Sequence, residues 1–215
     1  MRPDDIHQIV RILKRETRQW PVPALANFLQ TPFTVLISCI LSLRTQDKTT
    51  TAASNRLFAI ATTPKAMLET PVKAIERAIY PVAFYRTKAK SIHSICTLLL
   101  DRFRGKVPSD LDALLTLPGV GRKTANIVVT LAFGKPGIAV DTHVHRLSNR
   151  FGYVRTRTAD ETEIALRKKL PPRYWIVFND LLVAYGQNLC KPLSPHCSQC
   201  RIVDYCRRVG VTRSR

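Results

Sequence analysis

Ser109-Asp110-Leu111-Asp112-Ala113-Leu114-Leu115-Thr116-Leu117-Pro118-Gly119-Val120-Gly121-Arg122-Lys123-Thr124-Ala125 is the stretch on which the reading of this chain turns. Ser109 or Asp110 is placed to cap a helix that buries Leu111, Leu114 and Leu115, and Pro118 stops it. Gly119 and Gly121 then allow a tight hairpin whose backbone amides a ligand can approach without side-chain obstruction. A second helix starts at once and carries Ala125, Val128, Val129 and Ala132 inward. Its N-terminal amides and positive dipole end form an anion site that suits a phosphate group. A glycine-bearing connection between helices is common by itself. Here two matched helices flank it in a strongly basic chain.

That basicity narrows the partners. Among 215 residues, 34 Lys and Arg stand against 15 Asp and Glu, a formal net charge of +19. The charged fraction of 23% is ordinary for a folded protein, so this is a folded polycation rather than a disordered tail. Nucleic acid is the expected partner, because Lys and Arg gain affinity by releasing counterions from phosphates. The basic residues are spread along the chain instead of forming one amphipathic stripe, which argues against a membrane surface.

Outward from the hairpin the pattern is helical throughout, an all-α chain. Ile6, Ile9, Val10 and Leu13 recur at helical spacing, and Phe33 to Leu43 reads as a buried helix. Ala52 to Ile60 and Ala66 to Ile79 continue the pattern, with Pro64 and Pro71 placed to open helices. Lys88 to Phe103 carries Ile92, Ile95, Leu99 and Phe103 on one stripe and ends at Gly105. Gly134, Gly152 and Gly210 are read as further helix stops. No alternating strand pattern, internal repeat or flexible linker is present. No stretch has the apolar length of a membrane span, and the opening Met1-Arg2-Pro3-Asp4-Asp5 is neither a signal peptide nor a transit sequence. The expected location is a reducing cytoplasm.

Of six cysteines, Cys39 and Cys96 sit in apolar surroundings and read as small buried hydrophobes. The other four follow the spacing Cys190-x6-Cys197-x2-Cys200-x5-Cys206 in a segment too poor in apolar residues to hold itself together. Soft thiolates select an iron-sulfur cluster or zinc. Zinc sites usually show two close pairs, whereas only Cys197 and Cys200 are close here. The spacing leaves both open, with His196 as a loop residue.

Lys123 lies in the first turn of the second helix beside Arg122, where a lysine can serve as a nucleophile or simply contact phosphate. Asp141, in Val140-Asp141-Thr142-His143-Val144, follows an apolar strip and precedes a helix, so it is an N-cap at least. A catalytic role requires that it face Lys123. His143 and His145, two positions apart, fall on different faces of that helix and are not a metal pair.

Leu117 to Ala125, Val140 to Val144 and the four-cysteine loop, in this order, resemble the endonuclease III family of DNA glycosylases, of the helix-hairpin-helix superfamily with a Gly/Pro-rich loop and an aspartate. The resemblance runs from about Phe28 to Cys206. It implies a [4Fe-4S] cluster on Cys190, Cys197, Cys200 and Cys206. It also implies a two-lobed helical fold with DNA bound between the lobes. Residues 25–134 would form a six-helix barrel that includes the helix-hairpin-helix at 109–133. Residues 1–24 and 135–215 would form the lobe with the cluster loop at 190–206.

In the family's roles, Lys123 attacks C1′ of the damaged nucleotide and Asp141 assists. Gly119, Val120, Gly121 and Arg122 contact DNA. Members that only excise bases lack a lysine at this position, so its presence implies a bifunctional glycosylase and abasic-site lyase. Two loops depart from the family. Ser42 to Asp47 aligns with the loop that fills the hole left by the flipped nucleotide, with Arg44 where many relatives have Gln. Ala83 to Ala89 resembles the wedge loop, with Ala83 for Gly and Phe84 for Leu. Phe84 is either a wedge or a core aromatic at a helix start. The implied substrate is double-stranded DNA with an oxidised pyrimidine or an abasic site. The implied protein is a monomer, nucleoid-associated in a bacterium or archaeon. The competing readings are a mismatch-specific uracil or thymine glycosylase and a noncatalytic iron-sulfur DNA-binding protein.

Overall fold

The computed structural model describes residues 5–20 and 31–215, and every regular element among them is helical. Contacts gather the chain into two compact units, residues 1–22 with 136–215 and residues 23–135. The expected break between residues 24 and 25, and Phe28, lie outside the described residues.

In the unit of residues 23–135, α2 (Pro32–Ser42) is the central helix. Its residues Phe33 to Leu41 are all buried: the segment carries no charged side chain, and its hydroxyls are engaged inside, Ser38 with Ser54 at 3.4 Å and Thr34 with the Thr31 cap. Thr31 opens it with a capping box completed by Thr34. Around it stand α3 (Asp47–Phe58), α4 (Pro64–Glu69), α5 (Val72–Ile79), α6 (Tyr85–Phe103), α7 (Leu111–Leu115) and α8 (Arg122–Phe133). Pro64 opens α4 after its Thr63 cap, and Pro71 is itself the N-cap of α5. α3 begins five residues before Ala52, because its first turn, Asp47 to Thr51, is polar and shows no apolar period. In α6, Ile92, Ile95, Cys96 and Leu99 are fully buried. The helix ends with Arg104 and Gly105 both at positive φ and the Gly105 amide donating to Leu99 O at 2.8 Å.

The other unit is built from α1 (Asp5–Glu16), α9 (Thr142–Arg150), α10 (Ala159–Lys169) and α11 (Trp175–Asn188). Ile6, Ile9, Val10 and Leu13 of α1 join Val144, Leu147, Phe151, Phe178, Leu182 and Tyr185 in one core. At about 25 cal/mol per Å2 of apolar surface, side chains of this size stabilise the unit by roughly 1.5–3 kcal/mol each before entropy is counted. Two of the expected helix stops, Gly134 and Gly152, follow α8 and α9. The third fails: the element preceding Gly210 is only a 3-10 turn, Val203–Tyr205. Arg207-Arg208-Val209 offers no apolar face on which a helix could form.

Candidate active site and cysteine centre

Asp110 caps α7, its Oδ1 accepting from the Ala113 amide at 2.9 Å. Leu114 is fully buried, and Leu117 and Val120 turn inward from the hairpin. The Val120 amide donates to Leu117 O at 3.1 Å, which closes the turn. Gly119 has φ +77°, a conformation that an L side chain adopts only under strain. Gly121 is different. It is extended, exposed, and a Cβ built on it meets nothing within 4 Å, so nothing among the described residues requires glycine there. Its bareness keeps the approach to α8 open. Gly121 is also the N-cap of α8 and makes no side-chain cap hydrogen bond, so the positive end of that helix opens beside bare backbone. At the far ends of the motif, Lys135 Nζ donates to Ser109 Oγ at 2.6 Å.

Lys123 is exposed on the first turn of α8, with the half-buried Arg122 before it. Behind it lies Cys39, 1% exposed. Burial pushes that thiol up to about 12, only partly offset by the Lys123 cation, so at neutral pH Cys39 is a protonated, inert neighbour. Cys96 is pushed up to about 12 by burial in the same way.

Asp141 belongs to the other unit, as the N-cap of α9. Its Oδ1 accepts from both the His143 amide at 2.9 Å and the Val144 amide at 2.8 Å. Both capping bonds end on one oxygen, and Oδ2 carries neither. His143 Nδ1 meets Arg146 at 3.2 Å, while His145 Nδ1 meets Thr162 Oγ1 at 2.7 Å, so the two rings serve different neighbours.

The two loops that depart from the family lie together in the unit of α2 and α6. Arg44 and Phe84 are both in the left-handed region, at φ 55° and 58°. Phe84 is 60% exposed, which rules out the core-aromatic reading. The Arg44 guanidinium lies 5.8 Å from the Phe84 ring centroid.

The four loop cysteines follow α11 and are all free. Their side chains line one cavity together with Arg150, Tyr185 and Leu189. Donors reach the sulfurs: Arg150 Nη1 lies 3.3 Å from Cys190 Sγ, the Tyr185 hydroxyl 3.3 Å from Cys200 Sγ, and the Arg208 amide 3.4 Å from Cys206 Sγ. Burial pushes the Cys200 thiol up, and Cys206 up to about 11. Arg150 also donates to Lys191 O and Pro192 O, and Arg146 donates to Gly186 O and Cys190 O, so two arginines of α9 hold the start of the loop. Among the described residues, no group of three or more His, Cys, Asp or Glu converges as ligands to a single metal ion. Sequence reasoning passed over Arg146 and Arg150. The available signal was two arginines four positions apart beside apolar Val144, Leu147 and Phe151.

Comparison with known proteins gives a consistent picture. Residues 37–172 match the family described as HhH-GPD superfamily base excision DNA repair protein. The chain is 47% identical to Endonuclease III of Thermotoga maritima over 175 residues, 81% of this chain and 82% of that protein. It superposes with a TM-score of 0.86 and 35% identity on a chain from the structure of a non-covalent Endonuclease III-DNA complex, covering 97% of this chain and 96% of that one. A trapped Endonuclease III-DNA covalent intermediate gives a TM-score of 0.85 at 34% identity, covering 97% of each chain.

Proposed function

This chain belongs to the endonuclease III family of HhH-GPD base excision DNA repair proteins, and from that membership we propose that Lys123 is the nucleophile of its DNA glycosylase and abasic-site lyase activity. The observation that carries the assignment is an exposed lysine on the uncapped first turn of α8, beside the open backbone of Gly121. The amides of that turn hold a phosphate of the damaged strand, and Arg122 adds charge. Val120 anchors the hairpin inward while Gly119 and Gly121 present backbone to the DNA.

The damaged nucleotide is turned out of the stack, because its C1′ is unreachable within the duplex. Lys123 Nζ bonds to C1′ as the C1′–N bond breaks, and the base leaves with that electron pair and takes up a proton. Loss of a proton from the bound nitrogen opens the sugar at O4′ and leaves a Schiff base. The imine acidifies the C2′ hydrogen. Its removal expels the 3′ phosphate by β-elimination, and hydrolysis of the imine returns Lys123. Asp141, with Oδ1 tied to the start of α9, has Oδ2 to stabilise positive charge developing on the sugar or to assist proton transfer from the lysine.

Arg44 fills the gap left by the flipped nucleotide and Phe84 parts the adjoining base step, a role that its exposure supports. Oxidised pyrimidines in duplex DNA are the proposed substrates, and a bacterial or archaeal nucleoid is the proposed site of action.

Cys190, Cys197, Cys200 and Cys206 are proposed to hold a [4Fe-4S] cluster. The residues fit: four free thiols wall one cavity, and N–H and O–H donors already reach three of the sulfurs, as coordinated thiolates require. When bound, the cluster supplies the cross-link that fixes a loop with little core of its own.

The decisive experiment is sodium cyanoborohydride trapping on a duplex with one abasic site. A covalent protein-DNA band that is lost in Lys123→Gln is the expected result. Retention of the band, or of strand cleavage, in that variant overturns the assignment. Duplexes bearing thymine glycol, dihydrouracil or a G·T mismatch then test the substrate class, and preferential excision from the mismatch would overturn the oxidised-pyrimidine reading.

A further inference from the structure

Lys88 is a buried lysine with no part in the chemistry above. Its residue is 7% exposed, and its Nζ donates to Leu41 O at 2.8 Å, Leu43 O at 2.6 Å and Thr45 Oγ1 at 3.3 Å. An ammonium has three protons, and here each has an acceptor. Burial lowers Lys88 to about 8, and no carboxylate pairs with it among the described residues. Leu41 and Leu43 stand at the C-terminus of α2, where carbonyls lack helical partners and the dipole favours a cation.

Thr45 makes this more than a helix cap. Its hydroxyl donates to Leu43 O at 3.2 Å and accepts from the Ala83 amide at 3.3 Å as well as from Lys88. One hydroxyl therefore joins the loop that carries Arg44 to the turn that carries Phe84. The Lys88 amide donates to Phe84 O at 3.0 Å, so the same residue also fixes the backbone of Phe84. Arg44 and Phe84, each held in a left-handed conformation, face each other across this junction.

We propose that Lys88 is a positioning residue that locks the Arg44 loop and the Phe84 turn into one rigid element, so that gap filling and base-step parting occur together. The proposal rests on the DNA-inserting roles assigned to Arg44 and Phe84, and the test keeps the two failures apart. A duplex with 2-aminopurine beside a tetrahydrofuran abasic analogue reports unstacking by a rise in fluorescence, without cleavage. Four proteins are compared: wild type, Lys88→Met, the double variant Arg44→Ala with Phe84→Ala, and the triple variant.

If Lys88 acts through the two loops, Lys88→Met lowers the equilibrium constant for unstacking about tenfold or more, the effect expected on losing buried charge-assisted hydrogen bonds. The triple variant then matches the double variant, because nothing remains to be positioned. Lys88→Arg, which keeps the charge and several donors, recovers part of the signal. An additive loss in the triple variant, or normal unstacking in Lys88→Met, overturns the role of Lys88. Normal unstacking in the double variant overturns instead the roles of Arg44 and Phe84. If Lys88→Met does not fold, Thr45→Val removes the shared hydroxyl while keeping the lysine, and must reproduce the loss.

Discussion

The hairpin at Leu117 to Gly121 and the loop from Cys190 to Cys206 are both short irregular segments next to a helix, and they are held by opposite means. Leu117 and Val120 point into the core, flanking helices begin and end within a few residues, and a single backbone bond closes the hairpin. The cysteine loop has Ile202 and little else that is fully buried. It is held by long side chains from α9 and by the Tyr185 hydroxyl. A hydrophobic anchor makes one segment independent of any ligand. The other would be completed from outside the polypeptide by the proposed cluster.

The strongest way to break this contrast is to remove the outside component. Cys200→Ser should abolish the broad visible absorption expected of a thiolate-bound iron-sulfur cluster. It should also lower thermal stability by several kcal/mol, on the order of 3 or more, since metal binding is linked to folding. A variant that keeps its stability without iron would show that Arg146, Arg150 and Ile202 suffice.

A smaller effect separates the two glycines of the hairpin. Gly119→Ala places a side chain at positive φ and should cost about 1–2 kcal/mol in denaturant unfolding. Gly121→Ala should leave stability within about 0.5 kcal/mol while weakening affinity for duplex DNA, measured by anisotropy. Equal losses of stability at the two positions would contradict the assignment of Gly119 to the turn and Gly121 to the ligand. Asp110→Ala should cost about 1 kcal/mol by uncapping α7, with the cluster absorption unchanged.

What the sequence revealed follows the same division. The helices, the hairpin and the capping roles of Asp110 and Asp141 were legible because each is decided within a few residues of chain. Arg44 and Phe84 could be named from their loops, but Phe84's exposure came only with the structure, as did its contact with Arg44. Lys88 falls within the segment that resembles the wedge loop and at the start of the helix read over Lys88 to Phe103, with nothing local to mark it as a buried cation. Its acceptors lie 43 to 47 positions away, beyond any local pattern. Arg146 and Arg150 escaped for the same reason, being engaged with groups 40 or more positions along the chain. The polar first turn of α3 and the loop around Gly210 were misjudged because apolar periodicity is silent where there is no apolar face.

The burial of Cys39 and Cys96 gives the protein an internal reference for counting thiols. Both are sealed in the core and pushed up to about 12, so an alkylating reagent added to folded protein finds neither. Reagent uptake then reads the state of the partly exposed Cys197, Cys200 and Cys206: none when they are held as ligands of the proposed cluster, three when it is stripped from folded protein, and all six cysteines, the buried Cys190 among them, only after unfolding. One titration thus distinguishes cofactor loss from loss of structure, two failures that a fall in repair activity would report as the same.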